Sequence, residues 1–336
     1  MNLLADIVAS ILLKGDCRIS QIADGLNSGR DKQESKEKQV HRFFENMHIT
    51  HRVHYLPYIQ EVLEQLKKEG LLHLIIDGSS VGSGCMVLMF SVLHRGRAIP
   101  LAWSVKRKPK GHFKEEEHIE LLGEVVGLMP AGAEVTVLGD GEFDGVRWQE
   151  EISSLAGWSY VLRTSSNLLL EDEEGERFKP SEVPVASGEG LFLESLKIGK
   201  DGYGPVNMLV WHEKGHESPL YLVTDKDDFG AVAQSYIRRF YIETFFRDIK
   251  SMGYHVNRSR IRSPEKLSRL ILCCCLAYVL TIMAGIKCKK SIVCEMVKSG
   301  AENALSLFQM GLRFIQKLID LRQWRAFSWK YDFRSG

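Results

Sequence analysis

Three carboxylates far apart along the chain, Asp77, Asp140 and Glu243, stand where strand ends and a helix could bring them together. Asp77 follows the apolar run LLHLII at 71–76, and Asp140 follows EVTVLG at 134–139. Glu243 lies in YIRRFYIETFFRDIK at 236–250, where aromatics and charges interleave. Carboxylates held side by side repel unless they are protonated or neutralised, and hard divalent cations are the usual neutralisers of oxygen-only sites. Two such ions ~3.5–4 Å apart can activate a water or a 3′-hydroxyl and stabilise the leaving oxygen of a phosphodiester. The chemistry these residue types suit is phosphoryl transfer.

The segment around Glu243 carries more than one acid. On an α-helix, at about 100° per residue, Tyr236, Arg239, Glu243 and Lys250 fall within an arc of roughly 60° and form one polar seam. Ile237, Tyr241, Ile242, Phe245 and Ile249 fall on the other side, an apolar stripe that packs on a core. The spacing predicts one helix over 232–252, its seam facing either a ligand or solvent, where Arg239–Glu243 and Glu243–Arg247 pairs would add only ~0.2–0.5 kcal/mol each.

The elements that must position these residues follow from periodicity. Strands are expected at 71–76, 85–93 and 98–105, the last two joined by the turn His94-Arg-Gly-Arg97, which makes an antiparallel meander. A helix over 115–129 and a strand over 134–139 come next, and a connection through a helix returns a strand parallel to the first, bringing Asp140 beside Asp77. Asp144 competes with Asp140 for that role, but it reads better as the cap of a helix over 144–155. A strand at 158–163 continues the α/β pattern. Residues 165–230, with strand-like 190–198, 206–212 and 220–223, read as a β-rich insertion. Before the meander, 1–60 read as a helical module, with helices over 3–13, 20–26 (Ser20 as its cap) and 36–47 and a basic second half. After the seam helix, 291–336 read as helical. The resulting division is 1–60, 70–164, 165–230, 231–290 and 291–336.

Composition sets limits. Among 336 residues, 44 are basic and 43 acidic, so contact with nucleic acid must come from local clusters rather than overall charge. Two such clusters are Lys106, Arg107, Lys108, Lys110 and Lys114, and Arg258, Arg260, Arg262, Lys266 and Arg269. The seven cysteines include the consecutive Cys273, Cys274 and Cys275, unsuited to a disulfide framework, which suits a reducing compartment. The N-terminus lacks a basic n-region and a small-residue cleavage site, and the expected location is cytoplasmic. The uncharged run 270–286 reads either as a buried core helix or, less simply, as a membrane span.

Taken together, the order of meander, helix, parallel strand and a carboxylate on a later helix resembles the ribonuclease-H-like fold of DDE transposases. The seam matches the Y-x2-R-x3-E-x6-K pattern of the insertion-sequence-four family of bacterial transposases at Tyr236, Arg239, Glu243 and Lys250. That family also has an Asp after an apolar strand, as in LIIDGS, a second in D-x-x-F, as in DGEF, and a β-rich insertion before the Glu. The resemblance spans about residues 40–285. It implies an α/β, ribonuclease-H-like mixed sheet and Asp77, Asp140 and Glu243 as ligands of two Mg²⁺ or Mn²⁺ ions, Asp77 bridging both. It further implies that Tyr236, Arg239 and Lys250 hold the DNA end, and that Trp211 receives a flipped base. Lys108, Lys110, Arg258 and Arg260 are expected along the DNA backbone. The expected partners are double-stranded DNA, as terminal inverted repeats and target, and a second copy of the chain to pair two ends; no membrane is expected. Competing readings are a catalytically silent DNA-binding derivative and a nuclease of the same fold without strand transfer.

Overall fold

The structure, a computed structural model, describes residues 3–27, 29, 32–108, 110–289 and 305–321. The N-terminal helices are α1 (Leu3–Lys14), α2 (Ile19–Gly25), α3 (Gln33–Glu45), α4 (His51–His54) and α5 (Leu56–Glu69). In α1, Leu4, Ile7, Val8 and Ile11 recur at helical spacing and are buried, as one face of an amphipathic helix requires. Ser20 is not the cap of α2: the helix starts one residue earlier, after Arg18, and the local polar contact is Asp16 accepting from the Arg18 backbone.

A ten-stranded sheet follows, ordered β3-β2-β1-β4-β5-β10-β9-β8-β6-β7. Its strands and the helices between them are β1 (Leu72–Val81), β2 (Cys85–His94), β3 (Arg97–Arg107), α6 (Glu115–Val126), β4 (Val135–Gly139), α7 (Val146–Ser153), β5 (Trp158–Arg163), β6 (Leu170–Glu171), β7 (Arg177–Phe178), β8 (Gly190–Ile198), β9 (Tyr203–Trp211) and β10 (Leu220–Thr224). β1, β2 and β3 are antiparallel neighbours, whereas β4 runs parallel to β1 and β5 parallel to β4. This is the mixed, ribonuclease-H-like arrangement expected from the sequence. Helices close the chain: α8 (Phe229–Arg238), α9 (Tyr241–Arg247), a π-helical turn (Asp248–Met252), α10 (Pro264–Lys289) and α11 (Leu307–Asp320). Of the expected C-terminal region 291–336, only 305–321 lie within the described residues.

Two features of the sheet matter for the site. Asp77-Gly78 does not end its strand: β1 continues to Val81, paired with β2 in unbroken register from Leu74↔Val92 to Val81↔Cys85. The β-rich insertion joins the same sheet, because β10 pairs antiparallel with β5 and carries β9, β8, β6 and β7 outward. Its hydrogen bonds prolong the sheet that carries Asp77, a solution that periodicity alone cannot distinguish from a separate hairpin domain.

Helix α10 passes the length and hydropathy test for a membrane span, and 72% of its most apolar window is buried inside the fold. It is apolar all round because neighbours cover it: α1 and α3 from the N-terminal module, β3, and α11. At the crossing with α11 the backbones nearly touch, since a Cβ on Gly311 would lie 1.9 Å from the Thr281 carbonyl oxygen and one on Gly285 would lie 2.1 Å from that of Leu307. Gly311→Ala must push the helices apart, and overpacking of this kind costs typically ~1–3 kcal/mol. Urea denaturation should show that loss, and an unchanged midpoint would mean the crossing yields freely.

Candidate active site

The parallel register of β1 and β4 aligns Leu72 with Val135 and Ile75 with Leu138. Extended by two residues, it sets Asp77 level with Asp140, and since alternate residues of a strand share a face, both carboxylates emerge on the same side. Asp140 directly follows β4 and is locked in a tight turn: its carbonyl accepts from Phe143 N at 3.0 Å and its Oδ1 from Glu142 N at 3.0 Å. Asp144 takes no part in this pair and does not cap α7, whose cap position is Gly145; its carboxylate accepts from the Thr164 hydroxyl at 2.8 Å.

The electrostatics bear on the same grouping. Burial first, and the charge of Asp140 second, raise Asp77 from its ordinary 3.8 to about 7; Glu243 adds to the rise, while Arg239 and the Gly78 N–H oppose it. Burial and the neighbouring acid thus disfavour the ionised form of Asp77 despite Arg239, and a bound cation would favour it. Glu243 faces the pair but is engaged elsewhere: its side chain is 53% exposed and Oε1 accepts from Arg239 Nη2 at 2.8 Å. Among the described residues, no three His, Cys, Asp or Glu side chains are grouped closely enough to hold a metal ion. The donor types, carboxylate oxygens alone, suit a hard divalent ion, although Glu243 is turned to the Arg239 guanidinium.

Arg239 sits at the centre of this field. It is 6% exposed. Burial works against its charge, but Tyr236, Asp77, Glu243 and Asp140 outweigh that penalty and leave its pKa raised. The guanidinium lies 4.6 Å from the Phe240 ring centroid and 5.8 Å from that of Tyr236, cation–π distances.

The seam is not one regular helix. At the α8–α9 junction the Arg239, Ile242 and Glu243 amides bond three residues back, to Tyr236, Arg239 and Phe240 carbonyls, which tightens the backbone. The π-helical turn then widens it and carries Lys250. Tyr236 is buried rather than presented on an open face, whereas Ile237 and Tyr241, expected in the core, are 49% and 36% exposed. Ile242, Phe245 and Ile249 of the expected stripe are buried, joined by Phe246. Tertiary bonds explain the bend. His73 on β1, which burial and then the Arg238 and Lys226 charges lower to about 4, bonds through Nε2 to the Ser235 hydroxyl at 3.2 Å and lies 3.1 Å from Arg238 Nη1. Asp248 at the π turn pairs with Arg97 of β3 at 3.1 Å, both largely buried. Lys250 Nζ donates to Ser79 Oγ on the far part of β1 at 2.5 Å; burial lowers it to about 8, against the pull of Asp77. That bond exists only because β1 runs past Asp77.

Trp211, at the end of β9, is half-buried and lines a cleft of about 440 Å³ with Arg163, His216, Tyr236, Ile237 and Phe240. The register of the insertion thus brings Trp211 to the seam. Lys110, Arg258 and Arg260 are exposed, while Lys108 Nζ donates to the His112 carbonyl. The segment 258–262 lies against the β1–β2 hairpin and the end of β3, through Ser83 N to Ile261 O at 3.2 Å and Arg107 to Arg262 O at 3.2 Å. Lys266 pairs with Glu45 at 2.7 Å, and Arg269 donates to the Phe44 and Ile49 carbonyls, so both staple the N-terminal module to α10.

Sequence reasoning missed Glu142. Its carboxylate accepts from Phe113 N and lies 3.0 Å from His112 Nδ1 and 3.6 Å from His118 Nε2. Burial opposes ionisation, but these bonds outweigh it and hold the pKa low. The turn that fixes Asp140 thereby also fixes the loop bearing Lys108, Lys110 and Lys114. An acid two residues after Asp140, against a basic segment at 106–114, was the available signal. Glu142→Ala should loosen that loop and weaken binding to any duplex roughly 5–10-fold, with a shallower salt dependence; Glu142→Gln, which keeps an acceptor for Phe113 N, should lose less. Fluorescence anisotropy at two salt concentrations measures this, and an unaltered affinity would count against the anchoring.

The sheet has ribonuclease-H-like topology, with Asp77 on β1 level with Asp140 just past the end of β4. Residues 117–280 match the family described as the transposase DDE domain, a span that holds Asp140 and Glu243; the match supports a DDE-type transposase. Among solved structures, the fold is similar to that of piggyBac transposase in a synaptic complex with hairpin DNA, determined by cryo-electron microscopy, at a TM-score of 0.44 and 13% identity. That similarity covers 76% of this chain and 56% of the other, so the chain spans little more than half of that transposase's length. No curated protein matches the chain.

Proposed function

We propose that the protein is a DNA transposase that cuts at the ends of its element to free a 3′-hydroxyl and joins it to target DNA by two-metal phosphoryl transfer. The observation that carries this reading is the Asp77–Asp140 pair, level on two parallel strands, with Arg239, Glu243 and Lys250 facing it. Asp77, Asp140 and Glu243 would hold two Mg²⁺ or Mn²⁺ ions, which supply activation of the attacking oxygen and neutralisation of the leaving one.

The chain's own groups do the positioning. Lys250, fixed over Ser79, presents a point charge to the strand beside Asp77, and Arg239 offers planar, bidentate phosphate contact. The cleft at Trp211 is a stacking site for a base turned out of the duplex, worth ~1–3 kcal/mol. Lys108, Lys110, Arg258 and Arg260 track the backbone, and two copies pair the two ends. The four seam residues favour the insertion-sequence-four family. In this reading the enzyme works in the cytoplasm and α10 is its core helix, not a span.

The test supplies Mn²⁺, a pre-nicked duplex carrying the inverted repeats that flank the gene, and plasmid target. Joined product is expected from wild type and none from Glu243→Gln. Cleavage without joining would make the protein a nuclease of this fold, and duplex binding with neither would make it a silent derivative.

A further inference from the structure

Resting on that reading of the site, we propose that Arg239 is the resident cation of the metal-free enzyme and that metal loading is an exchange. The guanidinium releases Glu243 as the divalent ions enter, and its charge is then free for the DNA strand.

Three observations point the same way. Glu243, the third acid, is not grouped with Asp77 and Asp140 at metal-holding spacing, yet its Oε1 lies 2.8 Å from Arg239 Nη2. The guanidinium is buried while its partner is half in solvent, so this is not a surface ion pair holding two long side chains together. Its Nε is buried with no acceptor, an idle donor that an arginine placed for hydrogen bonding alone would not tolerate. What holds the group is the field of Asp77, Glu243 and Asp140, together with Tyr236. A second positive charge in the same field repels the first, so the ions and the guanidinium compete for the same carboxylates.

The backbone makes the exchange cheap. Arg239 and Glu243 are four residues apart across the α8–α9 junction, so side-chain rotation alone separates them. On leaving, the guanidinium has a surface to follow: the face of Phe240, 47% exposed, which lines the cleft at Trp211. Metal binding and capture of the DNA end are then coupled through one side chain, Arg239 serving as a positioning residue for Glu243 before it serves the phosphate.

The coupling has a sign that an ordinary ligand-contact role lacks. Without DNA, Arg239→Gln should bind Mn²⁺ at least tenfold more tightly than wild type, by isothermal titration and by loss of the free-ion electron paramagnetic resonance signal. Arg239→Lys, which keeps the charge, should stay near wild type. Adding Asp77→Asn to Arg239→Gln should abolish the gain. Because Arg239 is buried and its removal could harm folding, a second measurement uses wild type alone: titration with diamagnetic Mg²⁺ should shift the Arg239 Nε–Hε resonance in step with binding. Equal or weaker Mn²⁺ affinity in a folded Arg239→Gln, or an Nε–Hε resonance unmoved while Mg²⁺ binds, would overturn the exchange and leave the two-metal reading standing. Absence of Mn²⁺ binding in every variant, or binding that Asp77→Asn does not touch, would overturn both.

Discussion

Asp77→Asn is expected to abolish strand cleavage and, at the same time, to stabilise the metal-free protein at pH 8. The loss follows from removing the acid that lies level with Asp140, and for groups that stabilise charge in a transition state it should reach about 10²–10³-fold or more. The gain follows from linkage. Burial and Asp140 raise Asp77 from 3.8 to about 7, so the folded protein holds a proton there that the unfolded chain has already released. Below about pH 4 both states are protonated and nothing is lost. As pH rises from there through 7, the folded state is progressively penalised, and above 7 it carries the full cost of a buried carboxylate beside another. That difference corresponds to an upper bound of about 4 kcal/mol, of which relaxation and neighbouring charges should leave about 2–3 kcal/mol. Thermal denaturation in EDTA at pH 5 and pH 8 should therefore show wild type losing more stability than Asp77→Asn across that interval. Mg²⁺ at pH 8 should restore wild type and leave the variant unmoved. Identical pH slopes in the two proteins would remove the strain that this site is argued to hold.

The second large effect lies beneath the seam. Asp248→Ala leaves Arg97 charged and buried without its partner, 3.1 Å away in the intact protein, and breaking one side of such a pair typically costs ~3–5 kcal/mol. Replacing both residues by apolar ones, Arg97→Met with Asp248→Leu, removes the orphaned charge and should recover most of that loss, although Asp248, lifted to about 6 by burial, shows how little the pair itself gains over its desolvation. Urea denaturation of the two variants separates the outcomes. A single variant as stable as wild type would mean water reaches Arg97. Cleavage should fall in the double variant even where stability returns, because the pair fixes the π turn that carries Lys250 to Ser79.

Much of this architecture was legible in the sequence because it is written in short-range patterns. Apolar runs bounded by turns gave β1 to β5, and the helix between β3 and β4 forced β4 to return parallel to β1, which is why Asp77 and Asp140 could be matched before any coordinates. The seam residues were visible as a spacing, but their environment was not. A helical wheel assumes one regular helix, whereas the bonds of His73 to Ser235 and of Arg97 to Asp248, between residues more than a hundred positions apart, tighten one turn and widen another. Along the same segment Tyr236 is buried and Ile237 exposed.

By itself, then, the sequence determined which elements form, in what order, and which acids two parallel strands must carry side by side. Only the tertiary structure decided that β1 runs on past Asp77 to meet Lys250, that the insertion extends the same sheet and delivers Trp211 to Tyr236, that Glu142 ties a basic loop to Asp140, and that Arg239 occupies the field of all three acids. Each of these depends on which distant groups satisfy one another once water is excluded. That choice is fixed by burial and charge in three dimensions, and no periodicity along the chain encodes it.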